Sequence, residues 1–227
     1  MHTDDAVPDY VEKYYWWAYA RPWARAFFDR QWIINLILYG NYKRLQESAL
    51  AEFEGDLSGR TIQVSCCYGS LTPTLAKRVL RDSGELDVVD VLEGQLENVK
   101  RKTGENAALR LAQMNAIALD FPDHSFDNVL LFFLLHEMPQ EYRERTMAEA
   151  LRVLKPGGKL AIVDFGVPEK WHPFRYLWLP LLGILEPFAI PMWRMELKEL
   201  LPREMGNRTW RKESYFGGLF QKLVSTK

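Results

Sequence analysis

Histidine and acidic residues stand at the ends of two apolar stretches in the second half of this 227-residue chain. His136 and Glu137 follow the run NVLLFFLL, and Asp164 lies in the run KLAIVDF. Histidine is the usual general acid or base at neutral pH, and it is a common metal ligand. The pattern therefore predicts His136 and Glu137 as acid–base residues, and His136 with Asp164 as nitrogen and oxygen ligands of a divalent metal. A histidine that only packs or caps is the alternative.

These residues need a sheet to bring them together, and strand-like and helix-like segments do alternate through the middle of the chain. The predicted strands are Arg60–Ser65, Leu86–Val91, Leu109–Met114, Asn128–Leu135 and Lys159–Phe165, with helices at Leu75–Leu80 and Glu141–Leu154. Such alternation is typical of an α/β fold with right-handed crossovers and a doubly wound, mostly parallel sheet. Ligands of such sheets bind at the carboxyl ends of the strands, where His136 and Asp164 are expected.

Aromatic residues mark the segments outside this core, because all eight tryptophans lie before Thr61 or after Asp164. We predict one domain, divided into an N-terminal helical cap (1–55), a core (60–165), an apolar insert (166–212) and a closing strand (213–227). Within the cap, two amphipathic helices are expected to meet near Arg21-Pro22. Tyr14, Trp17 and Tyr19 would suit a lid that stacks on a flat ring, although packing on the core explains them equally well.

Composition excludes several classes of protein. The 29 Lys and Arg residues balance 30 Asp and Glu residues, and this argues against a nucleic-acid-binding protein. Two adjacent cysteines give no disulfide framework, so a reducing cytoplasmic compartment is expected. No signal peptide is visible, and prolines and an acid interrupt the most apolar stretch, 176–190, before it could span a bilayer.

The turn after the first strand, TIQVSCCYGSLTP, resembles motif I of the class I S-adenosylmethionine-dependent methyltransferases. Gln63 stands where that family usually has an acid, and Ser65 and Cys67 replace two of its three glycines. Gly69 remains, and Tyr68 is bulkier than the usual residue. The resemblance implies a Rossmann-like class I methyltransferase fold with these five residues around the cofactor. A pocket kept only as a scaffold is the alternative, and a redox or metal role of the paired cysteines is a minor one.

Three further blocks carry the same resemblance in the expected order. Asp90, at the end of VVDV, matches the acid that binds the ribose hydroxyls. Asn115 and Ala116, in MNAIALDFPDHSFD, match the positions beside the adenine, and LRVLKPGGKLAIVDF matches the lead-in to strand five. Together the four blocks cover about residues 60–165. They imply S-adenosylmethionine as the cofactor.

The flanking segments resemble quinone-modifying members of that family. WIINLILYGNYKRL and YFGGLFQKLV are similar to the first helix and last strand of ubiquinone/menaquinone biosynthesis C-methyltransferases. The altered motif I, YYWWAYARPW and the aromatic insert together resemble the methyltransferase-like proteins of rhodoquinone biosynthesis.

The second resemblance implies a particular reaction. It implies conversion of ubiquinone to rhodoquinone by exchange of a ring methoxy group for an amino group, with S-adenosylmethionine as amino donor and a divalent metal, manganese. In that reaction His136, Tyr68 and Glu137 would be catalytic. A conventional quinone methyltransferase and an inactive scaffold are the alternatives. The implied location is cytoplasmic and peripheral to the inner membrane, with 174–193 as the candidate surface for the bilayer and the isoprenoid tail.

Overall fold

Seven strands form one sheet that holds the carboxyl ends of its central strands at a common edge. A computed structural model of the chain describes residues 7–19, 22–66, 68–104, 106, 108–173, 187–201 and 209–226. The strands are β1 (Arg60–Val64), β2 (Glu85–Asp90), β3 (Leu109–Gln113), β4 (Phe126–Phe132), β5 (Leu154–Phe165), β6 (Thr209–Tyr215) and β7 (Phe220–Thr226). Their order is β3-β2-β1-β4-β5-β7-β6. The first five strands are parallel, and β7 runs antiparallel to both β5 and β6.

Helices cover the sheet and its carboxyl edge. The described helices are α1 (Asp9–Tyr14), α2 (Trp16–Tyr19), α3 (Pro22–Phe28), α4 (Gln31–Ile37), α5 (Tyr42–Ala51), α6 (Leu71–Arg81), α7 (Glu93–Thr103), α8 (Gln140–Val153) and α9 (Ala189–Met192). Short 3-10 turns lie at Leu135–Glu137 and Leu197–Leu200. In the central strands nearly every side chain is buried, as expected where helices cover both faces of a parallel sheet.

The α/β prediction is confirmed, and two local predictions were wrong. The segment 10–42 is interrupted at Tyr15 and again between α3 and α4, where we expected only two longer helices, and the expected junction at Arg21 lies outside the described residues. The fourth strand covers Phe126–Phe132, because Phe133 has a φ of 52° and leaves the extended conformation. Leu135, expected in that strand, lies in a 3-10 turn instead.

The chain also closes with a hairpin rather than with one strand. The predicted boundary at 212–213 falls inside β6, and Gly217 and Gly218 lie in the turn between β6 and β7 with φ of 59° and 83°. Positive φ favours glycine, so the glycine pair that we expected within a strand forms the turn that reverses it.

A buried lysine ties this hairpin to α5. Lys222 is 3% exposed. Its ammonium lies 2.8 Å from Ser48 Oγ, 2.5 Å from Glu52 Oε1 and 3.1 Å from Glu213 Oε2. Burial disfavours the charge, but the hydrogen bonds to the two glutamates outweigh it and raise the pKa of Lys222. The pair of carboxylates and the lysine therefore act together to hold β7 against α5.

We expect Lys222→Ala to lower the free energy of unfolding by about 2 kcal/mol, because it removes the buried cation that bonds to Glu52 and Glu213 and leaves them with the exposed Arg211 as their cation. Urea denaturation of the full chain measures this. Lys212→Ala is the matched control, since Lys212 pairs with Glu196 on the surface and should contribute about 0.5 kcal/mol. Equal losses in the two variants would contradict the role given to Lys222.

Candidate functional site

A cavity of about 650 Å³ opens above the carboxyl ends of β1, β2 and β4. This is where strand order reverses between β1 and β4, the usual ligand position in doubly wound sheets. Eight residues that the sequence predicted for the site line it: Trp17, Ser65, Tyr68, Asp90, Asn115, Ala116, His136 and Glu137. Most of the remaining lining is apolar and comes from α4 and the strand ends. The volume falls within the range of small-molecule sites.

The turn after β1 has the backbone conformation of a glycine turn although a serine occupies it. Ser65 has a φ of 66°, in the left-handed region that favours glycine. Its hydroxyl donates to Asp90 Oδ2 at 3.0 Å. Gln63 is fully buried below the cavity, and its amide donates to the Ser65 carbonyl at 3.0 Å and to Thr72 Oγ1 at 2.9 Å. Gln63 therefore positions the turn, and it is not among the residues lining the cavity.

Asp90 is the buried carboxylate of the site. Its Oδ2 accepts hydrogen bonds from Ser65 Oγ and, at 2.9 Å, from the Cys66 N–H, and its Oδ1 accepts one from the Leu92 N–H at 2.9 Å. Burial disfavours the charge more than these donors favour it, so the pKa of Asp90 is raised. A carboxylate oxygen can accept more than one hydrogen bond, so Asp90 retains capacity to accept from a ligand hydroxyl.

The side chains near Asp90 fit S-adenosylmethionine. Asn115 presents an amide whose oxygen also accepts from the Ile117 N–H at 3.3 Å, and Ala116 lies beside it. Leu92 and Met114 add apolar surface to the same wall of the cavity. A carboxylate can accept from ribose hydroxyls, an amide can pair with adenine, and apolar side chains can cover the faces of the base.

Tyr68 and Gly69 fasten the turn to the N-terminal helices. The Tyr68 hydroxyl donates to the Ala18 carbonyl at 2.9 Å, and its ring stacks on Phe28. Burial, with a smaller contribution from Glu137, raises the pKa of Tyr68 well above its usual value. A phenol held in this way is a poor acid or base at neutral pH, so the structure favours an anchoring role over the predicted catalytic one.

Gly69 is required by its surroundings rather than by a ligand. It has a φ of 93°, and a Cβ there would lie 2.6 Å from the Tyr42 hydroxyl. Its N–H donates to Asp29 Oδ1 at 2.8 Å, and its carbonyl accepts from Lys102 Nζ at 2.7 Å. Lys102 also pairs with Asp29 at 2.7 Å. Sequence reasoning missed Asp29 and Lys102, although Asp29 is the sole acid between Trp16 and Arg44.

His136 and Asp164 form a buried pair. His136 Nδ1 lies 3.0 Å from Asp164 Oδ1, and the ring also lines the cavity. Asp164 is fully buried and accepts from the N–H groups of Leu135 at 2.8 Å and Phe165 at 2.7 Å. Because a carboxylate with these donors only accepts, Nδ1 carries the proton of the neutral ring and Nε2 carries its lone pair. This is the arrangement of an oriented general base.

The predicted manganese site does not fit these donors. Both oxygens of Asp164 accept hydrogen bonds from the protein, and the side chain has no exposed surface. Across the described ranges, no group of three or more His, Cys, Asp and Glu residues could hold a metal ion. His136 and Asp164 are neighbours, as predicted, but they contact each other through a hydrogen bond instead of sharing a metal ion.

Two further residues, one of them acidic, line the cavity near His136. Glu137 lines it, as predicted, and so does Tyr10, which sequence reasoning missed. Burial raises the pKa of Tyr10, and the charge of Glu137 raises it further. The sequence around Tyr10 could not predict this position, because Tyr10 lies on α1, about 125 residues before the end of β4.

The aromatic lid is present in part. Trp17 lines the cavity, with its indole N–H donating to the Tyr14 carbonyl at 2.9 Å. Tyr14 packs edge-on against Phe188 and is not among the lining residues. The side chains of Tyr19 and Cys67, and residues 174–186 of the predicted bilayer surface, lie outside the described residues. At the end of that surface, Trp193 is buried against Phe165.

Comparisons with known proteins agree with the fold. A family described as "Methyltransferase domain" matches residues 62–162. A ubiquinone/menaquinone biosynthesis C-methyltransferase of Azotobacter vinelandii is 28% identical over 67% of this chain and 63% of its own length. A demethylmenaquinone methyltransferase of Staphylococcus saprophyticus is 31% identical over 62% of this chain and 58% of its own.

A solved structure is similar over almost the whole chain. A methyltransferase from Aquifex aeolicus, described as dependent on S-adenosylmethionine, covers 90% of this chain and 97% of its own, with a TM-score of 0.55 and 19% identity. The chain thus has the class I methyltransferase fold, and its sequence is similar to the methyltransferase-domain family over residues 62–162 and to quinone C-methyltransferases over about two thirds of its length. It spans less than two thirds of the length of the two relatives.

Asp90→Asn should weaken binding of S-adenosylhomocysteine by about 30-fold, because a charged acceptor is lost. Binding by the parent should also weaken as the pH falls. Because the pKa of Asp90 is raised, Asp90 takes up its proton at a higher pH than an ordinary aspartate, and the loss of affinity begins there. Calorimetric titration across pH measures both effects. Asp123→Asn, an exposed change, is the control. Unchanged affinity and pH profile in Asp90→Asn would exclude Asp90 as a ligand.

Proposed function

We propose that this protein transfers a methyl group from S-adenosylmethionine to the ring of a polyprenylated quinol. Homology to enzymes whose names specify quinone methylation supports the substrate class. The mainly apolar cavity supports it further, because a quinol ring and the first units of its tail are mostly apolar. The observation that carries the reaction is the His136–Asp164 pair, whose histidine lines the same cavity as Asp90 and Asn115.

His136 would act as the base. A quinol ring carbon becomes nucleophilic when the neighbouring hydroxyl loses its proton, and Nε2 of His136 carries the lone pair that accepts it. Asp164 holds the ring in this tautomer and stabilises the imidazolium once formed. The ring carbon would take the methyl group as the methyl–sulfur bond breaks and S-adenosylhomocysteine leaves. The ring C–H proton would then pass to water, which restores the aromatic ring.

The remaining residues would bind the cofactor and enclose the substrate ring. S-adenosylmethionine, when bound, supplies the electrophilic methyl group. Asp90 and Asn115 would hold its ribose and adenine. Trp17 and Tyr10 belong to the cap and line the cavity, so they reduce the access of water to the reacting ring.

His136→Gln should lower kcat by about 10²- to 10⁴-fold with little change in cofactor affinity, because the base is lost but the cofactor residues remain. Asp164→Asn should lower kcat by a similar factor. Activity assays with a quinol and calorimetry with S-adenosylhomocysteine separate the two effects. His124→Gln, an exposed change away from the cavity, is the control. A kcat in His136→Gln within about twofold of the parent would reject the base.

A second candidate is exchange of a ubiquinone methoxy group for an amino group, with S-adenosylmethionine as the amino donor. The altered turn favours it. Ser65 places a hydroxyl on Asp90, and Tyr68 fills the neighbouring position, so the cofactor would meet a different wall from that of an all-glycine turn. The manganese expected with this reaction is not part of the proposal, since the residues described do not fit it.

One labelled experiment distinguishes these functions. Purified protein is incubated with a demethylated quinol or with ubiquinone, and with S-adenosylmethionine labelled at the methyl carbon or the amino nitrogen. Mass spectrometry of the quinone product then identifies the transferred group. A labelled methyl group on the demethylated ring supports the main proposal, and a labelled amino group replacing methoxy supports the second. Cofactor binding without either product would support the inactive scaffold.

A further inference from the structure

The exposed apolar side chains of the described chain are concentrated on the cap. Of the eight large apolar residues that are well exposed, six fall within 16–37: Trp16, Trp23, Phe27, Trp32, Leu36 and Ile37. Scattered exposed apolar residues need no explanation, but a cluster of this kind marks an interaction surface.

Most of these side chains form one continuous face. Trp23 and Phe27 are four residues apart on α3, and Trp32 and Leu36 are four apart on α4, so each pair shares a side of its helix. The rings of Phe27 and Trp32 meet edge to face, with centroids 6.5 Å apart. We call Trp23, Phe27, Trp32, Leu36 and Ile37 the cap face.

Cations border the cap face. The guanidinium of Arg30 lies 5.9 Å above the Phe27 ring. Lys43 lines a shallow groove beside Trp32. Glu47 lies in that groove too, and its carboxylate pairs with Arg78. The single acid between residues 16 and 44, Asp29, has a side chain only 10% exposed and pairs with Lys102. The face is thus cationic although the whole chain carries a formal charge of −1.

The cap face is continuous with the cavity. Leu36 and Ile37 line the cavity while remaining 68% and 51% exposed. They therefore form the part of its mouth that reaches the surface. The same helix therefore carries Trp32 on the outside and Ile34 on the inside, where Ile34 and the following Leu38 line the cavity.

We propose that the cap face docks on the surface of an anionic phospholipid bilayer, so that the cavity mouth opens into the apolar layer. Tryptophan beside Arg and Lys is the composition of interfacial segments, and anionic headgroups complement Arg30 and Lys43. No helix in the described part of the chain is long and apolar enough to cross a bilayer. Docking is independent of the reaction, whereas passage of a quinone through this mouth rests on the proposed function.

Vesicle sedimentation tests the docking without substrate or cofactor. The full chain should bind vesicles of phosphatidylcholine mixed with phosphatidylglycerol. The double variant Trp23→Ser/Trp32→Ser should bind at least about tenfold more weakly than the parent, because two interfacial anchors are lost. Arg30→Gln and Lys43→Gln should each weaken binding by roughly fivefold, and only where phosphatidylglycerol is present. Leu80→Ser and Trp171→Ser, exposed elsewhere, should bind like the parent.

Other outcomes overturn the inference. Equal binding of the tryptophan double variant and the parent would exclude the cap face. Light scattering tests for a dimer: if the parent is a dimer, the double variant is a monomer and neither binds vesicles, a second copy of the chain covers the face. Failure of the proposed function is distinguishable, because vesicle binding would persist while no labelled quinone forms. If both proposals hold, the double variant keeps its activity on a short-tailed quinol in solution and loses it on a long-tailed quinone in vesicles.

Discussion

The turn after β1 adopts a left-handed conformation at Ser65, and the rest of the site depends on it. A non-glycine residue in this region costs of the order of 1–3 kcal/mol, so other interactions must offset the cost. The Ser65 hydroxyl bonds to Asp90, and Gln63 from below bonds to the Ser65 carbonyl. These contacts bring the turn against the end of β2, at the edge of the sheet where doubly wound folds bind their ligands. The serine thus preserves the backbone path of a glycine turn and changes the surface that a cofactor meets.

The same turn holds the cap. Tyr68 bonds to the main chain of α2, while Gly69 and Lys102 share Asp29 between α3 and α4. Short helices such as these have little stability of their own, since isolated helices of this length are marginal in water. Their attachment therefore couples the cover of the cavity to the turn after β1. It also keeps their exposed aromatic side chains on one side of the molecule, at the mouth of the cavity.

The His136–Asp164 pair shows how the parallel sheet assembles a site from distant residues. Asp164 ends β5 and His136 follows β4, and these two strands are neighbours. Main-chain N–H groups of Leu135 and Phe165 bond to the same carboxylate and keep it in place. The histidine is consequently oriented before any ligand binds, which lowers the cost of reaching a reactive arrangement.

Local sequence patterns determined the α/β class, the five parallel strands and the position of Asp90, because hydrophobic periodicity and strand-end residues depend on neighbours in the chain. They also placed His136 and Asp164 at one edge of the sheet. Only the tertiary structure decided that both oxygens of Asp164 accept hydrogen bonds, that Tyr68 bonds to the cap, that Asp29 holds the turn at Gly69, and that Tyr10 lines the cavity. These roles depend on contacts between residues tens of positions apart, and a residue type at one position does not specify its partner at another.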